Sequence, residues 1–154
     1  MGRKMILITC LFASGRCLFS YKERDLVPLC DVSQHQEEYM GKSIAVQGVL
    51  ISFEHGAFLH AYPNCGTPDL AAIRIESGGN VSWSDYFQAG GSKGVGLMVI
   101  LKGRVVISKR THHPAFAVSS ISYVKDAPCR TFEFKQEGRN LVLGCSPPKQ
   151  KPHR

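Results

Sequence analysis

At 154 residues, with 44% hydrophobic and 20% charged side chains, the chain has the length and composition of one globular domain with short extensions rather than of a disordered polymer. Its formal net charge of +7 suggests a nucleic-acid footprint until it is located. Arg3, Lys4 and Arg16 stand at the start and Lys149, Lys151 and Arg154 at the end; removing these six from 19 Lys and Arg leaves 13 against 12 Asp and Glu, a difference of +1. The high pI is therefore no argument for a phosphate-binding face.

The first residues have the pattern of an export signal. Arg3 and Lys4 make a positive start, Met5 to Ala13 is an apolar run of nine, and Ala13-Ser14-Gly15 supplies small residues for cleavage after Gly15. Spanning a bilayer needs about 20 apolar residues, so this run is no transmembrane helix. A buried first strand and a misplaced start codon are the alternatives. Cys17 would suit a lipoprotein only if Arg16 were small.

Pro28 suits a first helical turn and Gly41 a helix end, and Leu29, Val32 and Tyr39 make a rough apolar stripe between them, which predicts a helix over about 28–40. Two similar phrases follow at a distance. Gly41 to Phe53 and Gly96 to Ile107 are alternating apolar strands, each with a glycine in its middle, Gly48 and Gly103. Such a glycine marks a bend, a bulge or a close backbone approach, and long bent strands are how a small sheet closes on itself.

The first long strand is expected over 43–53 and turns at Glu54-His55-Gly56 into a partner over 57–62. A loop over 63–69 leads to a third strand over 70–75, broken by Gly78-Gly79-Asn80. Within 81–91, Ser82 or Ser84 can cap a short helix containing Trp83, Tyr86 and Phe87, ended by Gly90-Gly91. The second glycine-bent strand occupies about 95–108, and a loop at 109–114 leads to a fifth over 115–124. Cys129 to Lys135 and Asn140 to Cys145 flank Gln136 to Arg139 as a β-hairpin.

Three strands, a short helix and two more strands, with the first and fourth bent, is the plan of the OB barrel. Trp83, Tyr86 and Phe87 are the expected plugs of the barrel's bottom. The run Tyr39-Met40-Gly41-Lys42-Ser43-Ile44-Ala45-Val46-Gln47-Gly48-Val49 resembles the opening of OB-like domains in uncharacterised exported bacterial proteins; Leu29-Cys30-Asp31-Val32 and Leu59-His60-Ala61-Tyr62-Pro63-Asn64-Cys65 fit the same pattern. The resemblance covers about 28–124 and implies no particular activity. The fold class expected is all-β with minor α: a five-stranded OB-like barrel, an N-terminal helix, a short helix between strands three and four, and a C-terminal hairpin. Its organisation is a signal peptide over 1–15, the OB-like domain over 25–126, the hairpin over 127–146 and a disordered tail over 147–154.

Once the signal is set aside four cysteines remain, Cys30, Cys65, Cys129 and Cys145, separated by 34, 63 and 15 residues with no CxxC among them. That argues against a zinc knuckle or a thioredoxin-like site, and in an exported protein disulfides are the default. Four thiols allow three pairings. The hairpin brings Cys129 opposite Cys145, which leaves Cys30 for Cys65.

Motifs of chemistry are sparse. His55, His60, His112 and His113 lie near turns that could meet at one end of a barrel, but no HExxH or HxH accompanies them. Phe53, Phe58, Tyr62, Phe116 and Tyr123, with Arg74, Lys102, Arg104, Lys109 and Arg110, offer stacking and cations for a single strand. Ser119, Ser120 and Ser122 stand in no nucleophile motif. Glu37 and Glu38 are helix neighbours that do not face each other, and Gly90-Gly91-Ser92-Lys93-Gly94 lacks phosphate-loop spacing.

The expectation is an exported, periplasmic or secreted, non-catalytic binding or accessory module of the cell envelope, with neither cofactor nor metal. Its ligand would be an envelope protein or a small molecule. The strand face and the 54–56, 63–69 and 109–114 loops would present the recognition patch, with His55, Tyr62, Arg74, Arg104, Arg110 and His113 as the candidate binding surface. A single-strand nucleic-acid binder and a metal protein using loop histidines are the alternatives.

Overall fold

A computed structural model describes residues 25–63, 65–66, 71–77, 83–124 and 126–146. The expected signal, the tail, the whole 78–80 break, Ser82 and parts of the 63–69 loop lie outside them. The first apolar phrase is β1 (Ser43–Phe53), which turns through Glu54 and His55 into β2 (Gly56–His60); β3 (Ala72–Ser77) follows. The second phrase is β4 (Val95–Ile107), then β5 (Pro114–Tyr123), β6 (Thr131–Glu137) and β7 (Asn140–Ser146). Two short α-helices, α1 (Leu29–Gln34) and α2 (Trp83–Gln88), and a 3₁₀ turn over Gln36–Tyr39 complete the described elements.

β1 pairs antiparallel with β2, β2 with β3 and β4 with β5, while β3 and β5 run parallel, with Ile75 opposite Phe116. β4 also returns to β1, with Val46 opposite Leu101 and Leu50 opposite Leu97. Five strands therefore close into a ring in the order β1–β2–β3–β5–β4–β1. The two glycine-bent strands make this closure. β1 gives Ser43–Leu50 to β4 and Val49–Phe53 to β2, so it must swing between neighbours near Gly48. A Cβ on Gly48 would stand 2.7 Å from the His60 carbonyl oxygen.

Gly103 marks the second bend. Lys102 pairs with Ser120 but Gly103 with Val118, so Ser119 is an extra residue on β5, its hydroxyl donating to the Lys102 carbonyl at 3.1 Å. A bulge shifts the side-chain alternation by one. Phe116 and Val118 before it, and Ile121 and Tyr123 after it, consequently pack against the same core.

Inside the ring that core comprises Val46, Leu50, Leu59, Ile73, Val99, Leu101, Val105 and Phe116, with Leu29 and Val32 of α1 and Tyr86 of α2. Each such side chain, fully buried, stabilises the fold by roughly 1.5–3 kcal/mol. The Tyr86 hydroxyl donates to the Leu50 carbonyl at 3.0 Å and the Val95 carbonyl at 2.7 Å. Burial pushes the phenol's pKa up to about 12. Tyr86→Phe leaves both carbonyls without this donor and is expected to destabilise by about 1–3 kcal/mol, read from the urea midpoint; an unchanged midpoint would show that the hydroxyl is not tied in.

Two expectations about helices are corrected. The helix over 28–40 is divided: α1 stops at His35, whose φ of −126° and ψ of 44° leave the helix, and a 3₁₀ turn takes Gln36–Tyr39. After Val32 no apolar residue occupies the next helical positions, so nothing draws Ser33 to Glu38 onto the core. Instead the Asp31 carboxylate accepts hydrogen bonds from the Tyr39 hydroxyl and from His35 Nδ1. The Tyr39 bond, then His35, hold the Asp31 carboxyl below its ordinary value. The three-aromatic plug is also reduced, to Tyr86 with Trp83 packed beside it against the core. Tyr86 is buried, Trp83 is half-buried against its edge, and Phe87 is 51% exposed. On the helical wheel Phe87 is turned about 100° from Tyr86 with Trp83 between them, so the face that buries Tyr86 leaves Trp83 at its edge and Phe87 outside.

A second core lies outside the ring. Val49, Ile51 and Met98 project from its outer face, and the β6–β7 hairpin covers them with the fully buried Phe132. The disulfides Cys30–Cys65 and Cys129–Cys145 span Cα separations of 5.5 and 5.6 Å. The first ties α1 to the segment after β2, and the second ties the segment before β6 to β7. Among the described residues no helix is long and apolar enough to cross a membrane.

Candidate functional site

The β1–β2 turn places Glu54 and His55 beside the outer side of β3, where alternation sends Ile73 and Ile75 inward and Arg74 and Glu76 outward. Arg74 is directly across from Phe58, and its guanidinium lies 5.7 Å from that ring's centroid. Its Nη2 donates to the His55 carbonyl at 2.9 Å. Gly56, at φ +138°, lets the chain reverse this closely: a Cβ there would meet the guanidinium at 3.1 Å. Arg74 is thus held on an aromatic face with one arm tied down.

The β4–β5 loop approaches the same place. Ser108 is fully buried, its hydroxyl accepts from the backbone N–H groups of Arg110 and Thr111 at 3.2 Å, and its own N–H donates to the His113 carbonyl. This local web folds Lys109–His113 into a tight turn, with His112 at φ +58°, and carries Arg110 to the ring's mouth. His55, Arg74 and Arg110 then line one cleft of about 510 Å³ together with Glu54, Glu76 and Trp83. Lys93 forms an ion pair with Glu54 across the rim. With Glu54 so paired, two arginines face one further carboxylate, and an indole forms part of the wall. Such a lining can orient a planar or anionic group by bidentate bonds and stacking.

The remaining candidates lie elsewhere. Tyr62 packs edge-on against Phe132, with ring centroids 4.8 Å apart, and its hydroxyl stands 3.8 Å from the Cys145 sulfur, so it serves the seam under the hairpin. Arg104 and His113 are exposed but line no part of the cleft. The loop histidines are not gathered either. His60, at the end of β2, is turned under the hairpin against Phe53, Phe58 and Phe134. Among the described residues no three His, Cys, Asp or Glu side chains come together as metal ligands do.

Sequence reasoning missed Trp83 and Glu76 as cleft residues and His60 as a buried one. The Trp83/Tyr86 spacing was a signal that one ring would look inward and the other rest at the edge. For His60 the signal was Phe58-His60-Tyr62, a run of rings along the outer side of β2 and just after it, of which only Phe58 is covered by Arg74 of β3. The chain matches no family model, no curated protein and no solved structure.

Proposed function

We propose that the ring is an OB-type barrel serving as an exported, non-catalytic binding module, with the cleft at the first hairpin turn as its ligand site. The strand order with parallel β3 and β5, and a helix between strands three and four, supports the OB reading. Ligands of such barrels meet the β2–β3 face and the loops at the first and last turns, where His55, Arg74 and Arg110 stand together. Two disulfides favour an oxidising compartment, periplasmic or extracellular.

The observation that carries the proposal is the fixed Arg74. One guanidinium arm is committed to the His55 carbonyl and the plane is held on Phe58; the other donors serve a ligand at little entropic cost. The favoured ligand is a small molecule, or a segment of an envelope protein, bearing a carboxylate or similar anion. A nucleic-acid strand is disfavoured because the body is neutral and the cleft mixes arginines with carboxylates.

Amide-resolved NMR titration with an acidic hexapeptide, a uronic-acid oligosaccharide and an eight-residue oligo-dT tests this. The expected result is a response to one of the first two at residues 54–56, 74–76 and 110. Arg74→Ala should weaken that binding by at least about tenfold, the worth of one charge-assisted hydrogen bond. Binding of oligo-dT alone would replace the proposal with the single-strand reading.

A further inference from the structure

The β6–β7 hairpin is attached to the ring by very little backbone. β6 meets β4 only at Val95 opposite Glu133 and Gly96 opposite Phe132, whereas it pairs with β7 along its whole length, from Thr131–Ser146 to Glu137–Asn140. Neither disulfide crosses the seam: Cys129–Cys145 lies within the hairpin, and Cys30–Cys65 lies outside it. Side chains hold the hairpin down, Phe132 over Val49, Ile51 and Met98, and Phe134 over Phe53 and His60.

His60 is the anomaly in that seam. It is 7% exposed, its ring centroid lies 5.0 Å from that of Phe134 and 6.3–6.4 Å from those of Phe58 and Phe53, and neither ring nitrogen has a hydrogen-bond partner. The titratable or charged groups on the surrounding elements are Glu54 and His55 at the turn, Tyr62 after β2, Arg74 and Glu76 on β3, and Glu133, Lys135 and Glu137 on β6. None supplies the ring a hydrogen bond. Glu54 is paired with Lys93, Arg74 donates to the His55 carbonyl, and Lys135 donates to the Cys145 carbonyl. A neutral imidazole tolerates this pocket. An imidazolium, with two donors and a full charge, needs water or acceptors that the seam does not hold.

We propose that the C-terminal hairpin is an acid-released flap, latched while His60 is neutral and lifted from the outer face of β1 and β2 when it is protonated. Lifting the flap hydrates the imidazolium and breaks one short backbone contact, while opening the ring would break paired strands on every side. The release uncovers Val49, Ile51, Phe53, Tyr62 and Met98 as an apolar face.

Burial alone lowers the His60 pKa from 6.5 to about 4. The sign follows from linkage. Above pH 6.5 neither form of the flap binds the proton and the latch is complete. As pH falls from 6.5 towards 4 the open form takes up the proton first. The closed-to-open ratio therefore drops by about 75-fold between pH 8 and pH 4.5.

Amide hydrogen exchange on the full chain, each rate normalised to that of an unstructured peptide, tests the device. A detached two-stranded hairpin is marginal in water and exchanges. Protection at 132–135 is expected to fall by about 75-fold from pH 8 to pH 4.5, while residues 46–50 and 98–101 of the ring change by less than threefold. His60→Gln, neutral at both pH values, should abolish the fall. An equal loss in ring and flap, no loss in either, or a fall that persists in His60→Gln would overturn the proposal. In the unaltered protein the imidazole protons supply an independent reading. A ring titration midpoint well below 6, coincident with flap exchange, is expected; a midpoint near 6.5 with the flap still protected would contradict it.

Discussion

Replacing Gly103 with alanine should disrupt the fold more severely than any other single-methyl addition in the two bent strands. The new Cβ would lie 2.1 Å from the Ala117 carbonyl oxygen and 2.8 Å from Phe116 Cε1. The first obstacle is backbone of the paired strand at the bulge, and the second is a fully buried ring. Neither can rotate aside, so β4 and β5 must part where Ser119 is already extra. Overpacking of this kind destabilises by about 1–3 kcal/mol and sometimes more; a backbone clash at a bulge places this variant at about 3 kcal/mol or beyond. Against a total stability of roughly 5–15 kcal/mol that is a large fraction. Gly144→Ala is the matched control, because its nearest neighbour is the flexible Lys135 side chain at 3.2 Å, and it should change stability by less than about 1 kcal/mol. Urea midpoints of the two variants decide the matter. Equal midpoints would mean that the bulge at Gly103 does not close the ring.

The second large effect concerns the disulfides, which should differ in both size and reach. Cys30–Cys65 closes a loop of 35 residues and Cys129–Cys145 one of 16. In the chain-entropy account the first stabilises by about 4 kcal/mol and the second by about 3 kcal/mol. The larger difference is where the loss appears. Cys30→Ser/Cys65→Ser frees α1, whose Leu29 and Val32 belong to the ring's core, so the whole ring should lose stability. Cys129→Ser/Cys145→Ser frees only a hairpin already tied down by its side chains. Exchange there should accelerate across 131–146 while protection at 46–50 persists. Hydrogen exchange with urea unfolding measures both. A uniform loss of protection in the hairpin double variant would show that hairpin and ring unfold as one unit.

Much of this architecture was legible because it is written at short range. β1 is found where alternation and the Gly41 break predict it, and both mid-strand glycines sit at bends. The Cys129–Cys145 bond is the expected one, but not for the expected reason: Cys145 stands opposite Phe132, and Cys129 reaches it from the segment before β6. The N-terminal helix was misread because Leu29, Val32 and Tyr39 suggest a stripe that Gln36 interrupts. What the reading lacked was long-range. β1 is apolar on both faces, Val46 and Leu50 inward and Val49 and Ile51 outward, and only the distant Phe132 explains the outer pair. Phe132 also holds Tyr62 away from the cleft, and Phe134 of the same strand covers His60. The cleft was half visible: His55 and Arg110 stand in turns, and alternation along β3 turns Arg74 and Glu76 to one side, but nothing local brings Trp83 and the β4–β5 loop to them.

Maturation outside the cytoplasm with both cysteine pairs oxidised is the centre of the proposed function. Intact mass of the protein isolated from its native host, before and after reduction, tests this most directly. The account predicts a chain beginning near Arg16 or Cys17 whose mass rises by about four protons on reduction, one pair for each disulfide. A chain that retains Met1 to Gly15 and shows no mass change on reduction would contradict export and oxidation together, and would return the single-strand reading to first place.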